Sequence, residues 1–277
     1  MIQPYLPLSP AGHAYGCYRD NLAAPARTLF ALAPSTAPLP PSVGLTQWMG
    51  YIRDQKQEGS CTGQMIAAAR DLLYRKQYAY ETNKSVLAAN FRASASFLYK
   101  SNLIADGTLG TDAGSSIHQS FITLNQKGAC LESQEPYSDT DYSVAPTAQQ
   151  TADALVYKGG AYHYLPDLQR MKQCLASGYS FGFGIDVYTS FESSWTKPGF
   201  MPMPDTRHEQ CLGGHAQHVV GYEDAIQCLF VQNSWSSSWG ISAPGRSDGG
   251  CYWMPYAFVN AGLANDAWMI HLGPKWA

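Results

Sequence analysis

The chain has 277 residues, 45% of them hydrophobic, enough for one large domain or two modest ones with a core that folds alone. Its net charge of −3, with only 18 lysines and arginines, argues against nucleic acid or an anionic membrane as the main partner and leaves a small or peptide-like substrate. No apolar run approaches the roughly 20 residues of a bilayer-spanning helix, and the N-terminal MIQPYLPLSPAGHAYGC lacks the basic start and continuous apolar stretch of a secretory signal. The expected location is therefore the cytoplasm, or outside the cell by a route without a standard signal peptide.

Residues 1–40 read as a Pro/Ala-rich leader, since APARTLFALAPSTAPLPP holds no helical or alternating period long enough for a packed element. Residues 41–277 read as the folded unit. After the charged run RDQKQEGSCTGQ, apolar Met65, Ala68, Ala69, Leu72 and Leu73 recur at three and four spacing, with Arg70, Asp71 and Lys76 between them. That is an amphipathic helix, and Cys61 is at its start. Further helices are expected over 92–104, 115–127 and 166–177, the last opened by a proline. Beyond Gly178 the pattern turns to strands: YSFGFGIDVY alternates, HAQHVVGYED and CLFVQNSW read as two strands joined by a short turn, and GGCYWMPYAFV as a fourth. The proline-punctuated stretch 192–212 reads as a surface loop. Helices in the first half and strands in the second give an α+β arrangement of two lobes.

Seven cysteines stand at 17, 61, 130, 174, 211, 228 and 251. Without a signal peptide they are expected to be mostly reduced, and the six besides Cys61 structural. None forms a C-x-x-C pair, so no metal site is expected. A thiol becomes a good nucleophile near neutral pH only when its thiolate is stabilised, as by a helix N-terminus and a nearby imidazolium. Cys61 has the first, and GGHAQHVVGYED with VQNSW offers the second together with an orienting group.

Three separated motifs carry a resemblance to the papain-like cysteine peptidases. DQKQEGSC resembles the block with a glutamine six residues before the nucleophile, GHAQHVVGY the H-A-x-x-x-V-G-Y strand, and QNSWSSSWG the N-S-W-x-x-x-W-G turn. The 154 residues from Cys61 to His215 lie close to the roughly 130–150 of that family. The resemblance implies Cys61 as nucleophile, His215 as general base, Asn233 as its orienting group, Gln55 as oxyanion-hole donor and Trp235 as the shielding indole. It implies a two-lobe fold, a helical N-terminal lobe and a β-barrel-like antiparallel C-terminal lobe, with the site in the cleft between. The expected reaction is cofactor-free hydrolysis of a polypeptide substrate by a monomer. Alternatives are acyl transfer or deamidation on the same machinery, or a silent binding module.

Cys61 alone reads as an inert buried thiol; Gln55 and the distant His and Asn motifs make it the nucleophile. His218 competes with His215 for the base, but strand alternation turns the two to opposite faces, and the flanking match favours His215. Gly114, in TDAGSSIHQSF, resembles the segment whose backbone pairs with extended substrate, and reads equally as a plain helix-start glycine. Gly214 hints at an uncharged, roomy substrate site. Departures from the pattern are Glu58, where secreted relatives carry a disulfide cysteine, Thr62 in place of an aromatic residue, and a short leader. These point to the compact bacterial and phage-type branch. The leader, with Tyr15, Tyr18 and Phe30, is expected to lie along or beside the cleft and hinder access, the alternative being an inert arm packed on the back of a lobe.

Overall fold

Two short strands open the chain, β1 (Cys17–Tyr18) and β2 (Ser42–Gly44), in a computed structural model that describes residues 8–19, 38–82, 92–193 and 198–272. The three-four apolar spacing after Cys61 becomes helix α1 (Cys61–Thr82). Helix α2 (Ala95–Asp106) starts where the Ser94 side chain accepts from the Phe97 N–H at 3.0 Å, and ends at Gly107 in the left-handed conformation that glycine adopts without strain. β3 (Ser115–Ser116) leads directly into α3 (Ile117–Gln126), capped by Ser116. A Thr147–Gln150 capping box opens α4 (Ala148–Ala154).

The second half runs β4 (Gly159–Leu165), α5 (Leu168–Ala176), β5 (Phe181–Tyr188), α6 (Thr189–Ser193), β6 (Cys211–Glu223), β7 (Cys228–Gln232), β8 (Cys251–Pro255), α7 (Tyr256–Asn260) and β9 (Ala264–Leu272). Its sheet has the order β4-β9-β5-β6-β7-β8, every neighbour antiparallel, with β2 also pairing β6. Two apolar clusters divide the molecule into lobes: Ile66, Leu73, Phe97 and Phe121 pack with Cys61 among the helices, and Val219, Leu229, Tyr252 and Phe258 pack with Trp235 on the sheet. The α+β, two-lobed reading of the sequence is thus the observed architecture.

The structure departs from the sequence reading in several elements. The stretch 192–212 is not loop throughout, since α6 runs to Ser193 and β6 begins at Cys211. Strand β8 stops at Pro255 and the chain turns into α7. The leader does contain packed residues, Ala14, Tyr15 and Gly16 being buried. None of the seven cysteines is in a disulfide. Among the described residues, no helix is long and apolar enough to cross a membrane.

Candidate active site

The loop that delivers Cys61 is held by polar contacts. Gln55 N–H donates to the Ser234 carbonyl at 2.9 Å. Gly59 N–H is bound by both oxygens of Asp112, at 3.1 and 2.9 Å, and Tyr99 OH donates to the same carboxylate at 2.5 Å. The Tyr137 hydroxyl lies 2.8 Å from the Gln55 carbonyl, 2.8 Å from Glu58 Oε2 and 2.9 Å from Ser60 Oγ. Glu58 is therefore buried in a hydrogen-bonded knot, and burial pushes its carboxyl up to about 7. Sequence reading missed Asp112, Tyr99 and Tyr137, which meet the loop only through space.

From the facing sheet, β6 presents His215, whose Nε2 lies 2.7 Å from Asn233 Oδ1. That bond leaves Nδ1 as the ring nitrogen without a hydrogen-bond partner. Register separates the two candidate bases: His215 is opposite Ile185, while His218 is opposite Gln232, and its Nδ1 lies 2.9 Å from Gln232 Oε1. Trp235 stacks on His215 with ring centres 5.0 Å apart, and Trp239 and Phe191 each meet Trp235 edge-on at 5.4 Å. Ser234 Oγ donates to Gln55 Oε1 at 2.7 Å, and the Gln55 Nε2 donates to the Glu58 carbonyl at 3.0 Å. One set of bonds thus joins the turn 233–235 to both the imidazole and the glutamine.

Cys61 and His215 are both fully buried, and desolvation sets their protonation. Burial pushes the Cys61 thiol up to about 11, although the backbone N–H groups of Ala216, Gly16 and Thr62 draw it back toward ionisation. Burial likewise pushes His215 down to about 4, against the Asn233 bond that raises it. Ala216 immediately follows His215, so the Cys61 sulfur from α1 lies against β6 next to the residue that bears the imidazole.

Residues 9–19 run across this point. The Ala14 carbonyl accepts from Gln55 Nε2 at 3.3 Å. The Gly16 carbonyl accepts from Ser115 N–H at 2.8 Å, β1 pairs β3 in parallel, and Gly16 also bridges to Gly214. Three glycines make the passage possible. A Cβ on Gly114 would lie 2.1 Å from the Gly16 oxygen, one on Gly214 would lie 2.0 Å from the Cys17 oxygen, and one on Gly16 would lie 1.9 Å from the Gly59 oxygen. Tyr15 packs edge-on against His215 at 5.9 Å, and Tyr18 OH donates to Asp106 at 2.8 Å. Phe30 lies outside the described residues.

The papain family cysteine protease profile matches residues 40–244. An uncharacterized peptidase C1-like protein of Acanthamoeba polyphaga mimivirus is 32% identical over 228 residues, covering 78% of this chain and 68% of the viral protein. Xylellain, a cysteine protease from Xylella fastidiosa, superposes with a TM-score of 0.79 at 30% identity, over 94% of this chain and 96% of its own. A procathepsin B from Trypanosoma congolense shares the fold at 18% identity, with a TM-score of 0.71 over 94% and 86% of the two chains.

Proposed function

Because this chain belongs to the papain family of cysteine proteases, a cysteine-type peptidase by descent and fold, we propose that it cleaves peptide bonds with Cys61 as nucleophile, His215 as base and Asn233 as the group fixing the imidazole. The observation that carries the reading is the convergence of the two lobes: the Cys61 sulfur against the Ala216 N–H, His215 held through Nε2 by Asn233, and the Gln55 amide set by Ser234 in the same neighbourhood.

In this reading the free Nδ1 of His215 takes the Cys61 proton, and the thiolate forms a bond to the substrate carbonyl carbon. The charge that develops on oxygen is met by Gln55 Nε2 and by the Cys61 N–H, one of the donors a helix start leaves outside its own ladder. The imidazolium then gives its proton to the departing amine, and water cleaves the thioester. Gly114 and Gly214 line the strand-like channel for extended substrate, and Trp235 keeps water from the His215–Asn233 bond. No cofactor enters these steps.

The leader restrains the site in the same reading. Its Ala14 carbonyl takes the Gln55 donor, and residues 16–18 add to β3 as an extra strand, a recurrent mode of peptide recognition. Its effect on Cys61 and His215 is to exclude the water that charged forms of both need.

The test is hydrolysis of dipeptidyl fluorogenic amides, under reducing conditions, by the full chain and by its Gly16→Val and Cys61→Ala variants. Gly16→Val sets a side chain against the Gly59 backbone and is expected to raise turnover at least tenfold by expelling the leader, while Cys61→Ala removes it. Equal rates in Gly16→Val and the parent would contradict obstruction. Turnover that survives Cys61→Ala would contradict the nucleophile assignment.

A further inference from the structure

Glu192 sits in α6 directly after Phe191, and its side chain is only 5% exposed. Among the described residues its carboxylate bonds to the leader and to nothing else. Ser9 Oγ donates to Oε1, Tyr15 OH donates to the same oxygen at 2.5 Å, His13 Nδ1 lies 3.4 Å from it, and Ala11 N–H reaches Oε2 at 3.4 Å. The His13 ring lies flat on Trp235, 3.8 Å between centres and 4° between planes. Burial raises the Glu192 carboxyl, but the hydrogen bonds from Ser9, Tyr15 and His13 outweigh it and hold the group below the usual carboxylate range.

Every one of these partners belongs to a segment that must move before a substrate can enter. Once it moves, the cleft gains a bare carboxylate beside the open face of an indole. Their place relative to the chemistry is fixed by His215. The imidazole must protonate the departing amine, so the leaving half of the substrate extends past His215 toward Trp235, which stacks on it. The leader residues on β3 and Gly214 mark the other branch, that of the acyl half.

Building on the proposed peptidase activity, we infer that Glu192 and Trp235 together select a basic side chain on the leaving-group half of the substrate, and that leader residues 9–15 occupy this selectivity site until displaced. A planar guanidinium fits both contacts: it stacks on the indole face as the His13 ring does, and it pairs with the carboxylate that now takes Tyr15 and Ser9. A guanidinium that takes the leader's place covers the carboxylate again beside Phe191 and Trp235, which strengthens the pairing compared with an ion pair in open solvent.

The test uses quenched fluorescent peptides identical except for Arg, Gln, Tyr or Glu at each of the first two positions after the scissile bond. They are given to the full chain carrying Gly16→Val and to the same chain with Glu192→Gln added. The ratio of kcat/KM between two substrates does not depend on how much enzyme is open, because the open fraction scales both alike. Arg over Gln by about tenfold or more at one position, with Glu the poorest, is expected, and Glu192→Gln should bring the Arg advantage close to one. A dipeptidyl amide with no residue on the leaving side reports the peptidase reading separately. If that amide is cleaved through Cys61 while Arg shows no advantage, or the advantage survives Glu192→Gln, or Tyr is preferred to Arg, this inference is overturned and the peptidase stands. If no substrate is cleaved through Cys61, both fall.

Discussion

Gln55 is a single side chain with its oxygen fixed by Ser234 and its nitrogen shared between the Glu58 and Ala14 carbonyls, and we propose that the donor now on Ala14 is the one that meets developing charge. Replacing Gln55 with alanine in the Gly16→Val background is expected to lower kcat by about 10²–10³, with little change in KM, because the donor acts on the transition state rather than on bound substrate. A change confined to KM would assign Gln55 to binding. Gln55, Cys61, His215 and Asn233 were singled out in the sequence because the proposed chemistry needs those residue types and their flanking motifs resemble those of the papain family; their order along the chain is a mark of the family, not of the chemistry. Ser234 stood in the same N-S-W motif without a visible task. Glu192 was read into a surface loop, and nothing local in FESSW announces a carboxylate that bonds a leader more than 170 residues earlier in the chain.

At the scale of elements, α1 is tied to the loop before it by a buried charge cluster. Asp71 accepts from Arg53 at 2.7 Å, from Arg70 at 3.1 Å and from the Ala93 N–H at 2.9 Å, and Arg53 also donates to the Ala93 carbonyl at 3.0 Å. The Arg53 carbonyl in turn accepts from Ser236 N–H at 3.0 Å, one residue beyond Trp235. Asp71→Ala removes the carboxylate that two buried guanidiniums share and is expected to cost about 3–5 kcal/mol in urea unfolding. A loss below about 1 kcal/mol would show that water takes the place of the carboxylate.

Helices α1, α2, α3 and α5 were legible through three-four spacing and start signals, and β5 through β8 through alternation and turns, whereas the short helices α4, α6 and α7 were not. Strands β4 and β9 were not. AWMI within β9 is buried as a continuous run without alternation, and its pairing with β4 joins segments more than 100 residues apart. Strand β1 is only two residues long and exists because β3 offers it an edge, a non-local fact that no periodicity in the leader records.

For the whole molecule, we propose that this papain-family peptidase is kept quiet by its own N-terminal segment. With the leader in place, burial leaves Cys61 a thiol up to about pH 11 and His215 a neutral imidazole down to about pH 4, so the covered pair carries no charge between those limits. A raised thiol pKa means that thiolate appears only as pH climbs. Once the leader is gone, water and the imidazolium favour the ionised pair, and reactivity moves down toward neutral pH.

The most direct measurement is the rate of labelling by a peptidyl epoxide from pH 5 to 10, mapped over all seven cysteines, in the full chain and in Gly16→Val. Selective labelling of Cys61 at neutral pH is expected in Gly16→Val, at least tenfold faster than in the parent, whose labelling at Cys61 rises only toward alkaline pH. Cys61 labelling in Gly16→Val no faster than at the other buried cysteines would contradict this expectation.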